Sequence, residues 1–312
     1  MELDLGWVLA LLLVLATLYF SLRRPASVIS VTDLVYFPVK GCAGVHLKSA
    51  QVDETGIKFD RMWAICDQNH VMINLKVEPR LLRIVPELLL NAEGNPQTLI
   101  LRSGEREFRL QVDKELTGEV FEIVVFRHPR KVRSEGPAVA AFLQEVLKSD
   151  YQLVRVAEFR EPHEEFKTKY EDTKVNLAAA LHFHLVAEES MEVLRQALPD
   201  KNKDMSIDVF RGNITIKGAP AFTEDTWAEV LIGDVKMIGV KPVRRCPAPT
   251  IHYDTLEYDE DQEPNRTLKE MHSVEGLPMF GEWLIRRNNG RISVGDRVRV
   301  VRRRKFSNKV AE

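Results

Sequence analysis

Residues 5–22 contain no charged side chain, and beyond Pro25 this continuous apolar run gives way to short segments in which apolar and polar positions alternate. Eighteen helical residues rise roughly 27 Å, about the hydrocarbon thickness of a bilayer. Glu2 and Asp4 precede the run and Arg23-Arg24 follow it. A secretory signal would show a basic start and a small-residue cleavage site instead. The run is apolar around its whole circumference, so the expectation is one uncleaved transmembrane helix at 5–22. The positive-inside rule then puts Arg23-Arg24 and all that follows on the cytosolic side.

After the connector, the alternation predicts strands at 31–36, 51–52, 62–66, 98–101, 108–112 and 120–126, separated by turn residues such as Glu54-Thr55-Gly56 and Ser103-Gly104-Glu105. Pro137 opens a helical period over 137–147, with Ala138, Ala141, Phe142 and Val146 on one side. A strand follows at 151–157. The stretch 158–174 is then charged and aperiodic, which places a domain boundary there. Beyond it the pattern predicts a buried strand at 183–186, a helix near 189–198, β-rich segments at 209–216 and 227–240, and a last strand at 298–301. Ile232-Gly233-Asp234 is the turn of a hairpin, and Val294-Gly295-Asp296 leads into the last strand. Many short strands with few helices give a β-rich α+β class.

Composition narrows the function. A formal charge of −2 offers no global attraction for nucleic acid, so no nucleic-acid partner is expected. Cys42, Cys66 and Cys246 are the only cysteines and form no CxxC pair, which argues against a disulfide framework or a structural zinc site. No GxGxxG, GxxxxGK[ST] or GxSxG motif is present, so neither nucleotide binding nor an esterase elbow has support.

The densest chemistry lies in Val243-Arg244-Arg245-Cys246-Pro247-Ala248-Pro249. Two guanidinium groups favour thiolate over thiol, and the prolines restrict how the segment folds back. Cys246 is therefore a nucleophile, a metal ligand or a small packed hydrophobe. Three further cations sit in strand-like surroundings where an unpaired charge is costly: Lys40, Arg61 and Arg211. Each has a structural alternative. Arg61 can pair with Asp60, Lys40 can snorkel, and Arg211 can cap the preceding loop. Together with Arg244 and Arg245 they suit an anionic, phosphate-bearing ligand.

Phe37-Pro38-Val39-Lys40-Gly41-Cys42 and Asp60-Arg61-Met62-Trp63 occur in the first half. The second half holds Phe210-Arg211-Gly212-Asn213, Glu224-Asp225-Thr226-Trp227 and Arg244-Arg245-Cys246-Pro247. This set resembles the MOSC family of molybdenum-cofactor proteins, and within it the mitochondrial amidoxime-reducing components. The resemblance implies a transmembrane helix at 5–22, a MOSC N-terminal β-barrel domain at 30–158, a MOSC β-barrel domain with a few helices at 159–303, and a basic tail at 304–312. It also implies a molybdenum cofactor, Mo-molybdopterin, with Cys246 as metal ligand and catalytic residue. Lys40, Gly41, Arg61, Arg211, Asn213, Arg244 and Arg245 match the family's cofactor-contacting positions. Relatives often carry a serine after the lysine, a second cysteine before the metal ligand and hydroxyl residues ahead of the strand near Phe183. This chain has Gly41, Val243 and Ala179-Ala180-Leu181 there.

The activity implied is reduction of N-hydroxylated compounds such as amidoximes, hydroxylamines and N-oxides. Its electrons would come from NADH through cytochrome b5 reductase and cytochrome b5, on the cytosolic side of the outer mitochondrial membrane. His252 and Asp225 are candidate proton donors. The acidic run 258–263 is a solvated loop or a partner contact. A sulfur-handling MOSC protein and a membrane-anchored carrier of the cofactor without turnover are the alternative functions.

Overall fold

The computed structural model describes residues 28–112, 118–125, 128–158, 173–178 and 181–305. The apolar run at 5–22 lies outside them, and among the described residues no helix is long and apolar enough to cross a membrane. The described chain is β-rich, with helices at Pro137–Leu147, Glu188–Ala197 and Asn265–Met271.

A nine-stranded sheet dominates the second half, and its edge is completed from the first. In order, its strands are Val298–Arg303, Trp227–Ile232, Val235–Arg244, Leu277–Arg286, Phe183–Ala187, Ile214–Lys217, Ser30–Tyr36 and Val45–His46, with Ser273–Val274 beside Leu277–Arg286. Ser30–Tyr36 pairs antiparallel with Ile214–Lys217, placing Leu34 opposite Ile214. Gly290–Ser293 likewise returns to pair with Ser49–Asp53. The two halves are thus interlocked through backbone hydrogen bonds.

Burial alternates where one face is wet, as in Ser49–Asp53 with Ala50 and Val52 inward. The core under the large sheet is built from Leu34, Ile57, Phe183, Ile214, Trp227 and Leu284. A second core holds Trp63, Leu81, Leu99, Leu143 and Leu153. Over it lies the helix Pro137–Leu147, with Val139, Phe142, Leu143 and Leu147 inward and its last turn closed by Lys148 in the left-handed region.

One expected β segment is largely something else. In 209–216, only Ile214 onward is strand; Ile207–Phe210 forms a 3-10 turn instead. Ser206 caps that turn by accepting from the Asp208 N–H at 3.2 Å, and Arg211 ends it with φ of +55°. A serine oxygen bonding to nearby backbone competes with a ladder, which is why β propensity loses here. The consequence is that Arg211 leaves the strand direction before the sheet begins.

Candidate cofactor cavity around Cys246

Lys40 follows the first strand, and its position is set by a backbone clasp. Its N–H donates to the Trp63 carbonyl at 2.8 Å, while the Trp63 N–H donates to the Pro38 carbonyl at 3.0 Å. The buried Lys40 ammonium donates to the Leu177 carbonyl at 2.6 Å. Gly41 follows with φ of +89°, a conformation that disfavours any side chain. A Cβ there would also stand 2.8 Å from Leu81 Cδ1. Its own N–H has no acceptor among the described residues and can serve a ligand.

Asp60 organises the next cation. Its buried carboxylate accepts from the Phe37 N–H at 2.8 Å and pairs directly with Arg61. The Arg61 guanidinium also donates to Asn213 Oδ1 at 3.2 Å and lies 4.3 Å from the Phe37 ring centroid. Arg211 approaches the same ring at 4.2 Å and donates to the Cys42 carbonyl at 2.7 Å. One aromatic ring therefore gathers two guanidinium groups. Burial, and then the neighbouring Arg61 charge, hold the Arg211 pKa below its usual value.

Arg245 is held from the strand Val235–Arg244. Its N–H donates to the Pro278 carbonyl at 2.9 Å, and its guanidinium donates to the Phe210 carbonyl at 3.0 Å. Its Nε is shielded from solvent and has no hydrogen-bond partner. Desolvation lowers its pKa to about 10. Among the described residues, no carboxylate lies within ion-pair distance of Arg211 or Arg245. Buried cations without counter-charges are costly, and an anionic ligand would supply what is missing.

These groups share one cavity of about 470 Å³, a size suited to a cofactor. Lys40, Gly41, Arg61, Arg211, Arg244, Arg245 and Cys246 line it. Val71, Met72, Leu75, Val124, Leu181, Val243 and Trp283 are among the apolar residues of its wall. Among the described residues, the lining contains no carboxylate. Cys246 is exposed to the cavity as a free thiol, and its carbonyl accepts from Asn265 Nδ2 at 2.9 Å.

Not every residue singled out from the sequence faces this space. Asn213 is buried beneath it. Its amide donates to the Val35 carbonyl at 3.0 Å, and its oxygen accepts from the His184 N–H at 3.2 Å as well as from Arg61. It holds Arg61 and has little left for a ligand. His252 lies in a separate cleft with Tyr253 and Asp208, 3.2 Å from Asp259. Asp225 is buried against His272 at 2.9 Å. Neither candidate proton donor lines the cavity.

His184 does line it, although nothing in its sequence surroundings marked it except a titratable ring inside a buried strand. Burial, with the Arg245 charge next, holds its pKa well below the usual imidazole value, so the ring is neutral at pH 7. Its Nε2 lies 3.1 Å from the Phe280 carbonyl and 3.4 Å from Arg245, so the tautomer decides whether it donates to the first or accepts from the second. Gly281 permits this approach. It has φ of +75°, and a Cβ there would sit 2.4 Å from both His184 Nε2 and the Leu185 carbonyl. Gly281→Ala is expected to destabilise the protein by more than about 2 kcal/mol, read as a lowered denaturation midpoint. A midpoint equal to wild type would mean that the close packing at His184 is not real.

The motif Glu224-Asp225-Thr226-Trp227 is structural. Glu224 is fully buried and accepts from Ser190 Oγ at 2.6 Å. Desolvation, then the Asp225 charge, raises its pKa to about 7. Between about pH 4.5 and pH 7 the native state keeps this proton and the unfolded chain releases it. The associated stability is therefore fully present below pH 4.5 and is lost as pH rises through 7. Relative to Glu224→Gln, the wild type should lose on the order of 3 kcal/mol across that window. Parallel denaturation curves for the two proteins would refute this.

Comparisons with known proteins agree with this architecture. Residues 28–150 match the MOSC N-terminal beta barrel domain, and residues 172–299 match the MOSC domain. Human mitochondrial amidoxime-reducing component 1 is 30% identical over 285 residues, covering 86% of this chain and 82% of that protein. The chain belongs to the MOSC family. Rat mitochondrial amidoxime reducing component 2 is 30% identical over 297 residues, covering 88% of this MOSC protein and 84% of the relative. Zebrafish molybdenum cofactor sulfurase is 26% identical over 277 residues, with 84% of this chain matched to 32% of that larger protein.

Proposed function

We propose that this MOSC protein is a molybdenum-cofactor-dependent reductase of N-hydroxylated compounds. The observation that carries the reading is the coincidence, in one cavity, of a free thiol with Arg211 and Arg245, which have no carboxylate within ion-pair distance among the described residues. A soft thiolate suits molybdenum, and the orphaned Arg245 Nε, the Gly41 N–H and the Arg211 guanidinium suit an anionic pterin phosphate. The names of the amidoxime-reducing relatives support the same chemistry.

Cys246 would hold the metal, while Lys40, Gly41, Arg61, Arg211, Arg244 and Arg245 orient the rest of the cofactor. When bound and reduced, the cofactor would supply two electrons to an N–O group and an acceptor for its oxygen. Asn213 and Asp60 act through Arg61, fixing its direction. Val71, Val124 and Trp283 offer an apolar wall for the substrate's body, with Val71 and Val124 about half exposed at the rim. With no carboxylate among the described lining residues and His184 neutral, protons reach the site from solvent through the open rim.

Electrons are assigned to cytochrome b5 and its NADH-dependent reductase. The apolar run at 5–22 and the mitochondrial relatives favour the outer mitochondrial membrane, with the domain facing the cytosol. The test is turnover. Purified full-length protein loaded with molybdenum and given reduced cytochrome b5 and benzamidoxime should form benzamidine. Full metal occupancy without product would favour a carrier of the cofactor.

A further inference from the structure

The start of Ser30–Tyr36 marks one end of the large sheet. Ser30–Tyr36 starts at this end and leads toward Lys40, which lines the cavity. Val235–Arg244 begins beside the same end, where a Cβ at Gly233 would stand 2.5 Å from Asp296 Oδ2, and leads to Arg244 and Cys246 in the cavity. At this end, Ser30 bridges to Arg297, and the Val298 N–H donates to the Ile29 carbonyl at 2.8 Å. The same end carries exposed Lys236, Arg287, Arg291 and Arg299. They form one surface. The Arg287 N–H donates to the Lys236 carbonyl at 2.8 Å, and a Cβ at Gly233 would stand 3.1 Å from the Arg291 carbonyl.

None of these cations has a carboxylate within ion-pair distance among the described residues. The arginines of Arg106–Gln111, equally exposed, are by contrast each paired with a glutamate. Of the acids at this end, Asp296 is engaged by the Ser293 N–H at 2.8 Å, which leaves Asp234 exposed. Two exposed apolar tips stand among the cations, Val28 at 61% and Val294 at 44%. Val28 is also where the chain enters the fold after the apolar run. From Leu22 to Val28 the backbone spans at most roughly 20 Å, so this end cannot stand far from wherever residues 5–22 reside.

We infer that this basic end of the sheet lies against anionic phospholipid headgroups of the bilayer that receives residues 5–22. Unpaired arginines beside an apolar tip are what an anionic interface attracts. The inference rests on the anchored reading of 5–22 and is independent of the reductase chemistry.

The experiment uses the full chain reconstituted in vesicles of phosphatidylcholine, alone or with a quarter of phosphatidylserine. Amide hydrogen exchange is then read over the turns 288–290 and 294–296. Exchange there should be roughly tenfold slower in the anionic vesicles, and 0.5 M salt, about where screening shortens to a few ångströms, should abolish the difference. The triple variant R291E/R297E/R299E should lose the difference at low salt. Equal exchange in both vesicle types, with the protein floating with each, overturns this inference alone. A difference that survives high salt, or that persists in the triple variant, overturns it as well. Failure of the wild type to float with either vesicle overturns the anchored reading together with it.

Discussion

Cys246→Ala is expected to reduce molybdenum content to background and N-reductive turnover by more than about a thousandfold, a barrier increase of roughly 4 kcal/mol. The fold should hardly notice. Cys246 is exposed, its side chain belongs to no core cluster, and the contact that fixes its segment, from Asn265, goes to its carbonyl. A change in unfolding free energy within about 0.5 kcal/mol follows for the metal-free protein. The decisive measurement pairs metal analysis with a denaturation curve for the same preparation. A variant that retains both metal and turnover would remove Cys246 from the metal-ligand role. One that loses stability in parallel with activity would make the cysteine a packing residue after all.

Arg245→Ala should separate cofactor binding from folding in a different way. In the protein without cofactor, this guanidinium is desolvated, its Nε lacks a partner and no described carboxylate faces it. Deleting it removes an unfavourable burial while forfeiting its bond to the Phe210 carbonyl and its contact 5.1 Å from the Phe210 ring. These changes oppose each other, so stability without cofactor should move by less than about 1 kcal/mol. Cofactor retention should fall by one to two orders of magnitude, as expected when one charged contact worth roughly 2–3 kcal/mol is lost. Arg245→Lys should recover only part of it, because an ammonium keeps the charge but not the planar fork. Unchanged cofactor content in Arg245→Ala would return the residue to a purely structural role.

The two variants probe different aspects of one design. Cys246 supplies a bond, and its loss is not compensated by neighbours. Arg245, Arg211, Arg61 and Lys40 supply a field, in which the charges of Arg245 and Arg211 have no described carboxylate partner and become favourable when the anion arrives. The empty cavity is therefore expected to be the less stable state, and cofactor loading should raise the denaturation temperature by mass action.

Much of this was legible in the residues themselves. Strand-like apolar segments bounded by turn residues marked Ser30–Tyr36, Trp63–Asp67, Tyr151–Val156 and the hairpin at Ile232-Gly233-Asp234, and the proline-led helix Pro137–Leu147 has the boundaries its pattern predicts. Those signals are local, since side-chain direction repeats every two or 3.6 residues whatever lies opposite. Val85–Leu90 and Leu277–Arg286 escaped notice because a proline in each breaks the pattern. The unpaired cations were readable for a similar reason: an arginine in strand-like sequence demands a partner wherever the chain goes. The burial of Asp225 and the withdrawal of Asn213 from the cavity were not readable, because each depends on a residue far away in the chain, His272 for one and Val35 for the other.

By itself, then, the sequence determined which residues could carry the chemistry, a thiol and a set of arginines and lysines of which only Arg61 directly follows an acid, and it determined the local elements that present them. The tertiary structure decided which of these meet. Ser30–Tyr36 pairs with Ile214–Lys217 across more than half the chain, and that pairing puts Lys40 and Arg61 in the same cavity as Arg211, Arg245 and Cys246. It also revealed His184 beside Arg245 and brought the start of Ser30–Tyr36 against Arg297. The physical reason is that strand pairing and desolvation are properties of surfaces brought together, whereas alternation and charge are properties of the chain alone.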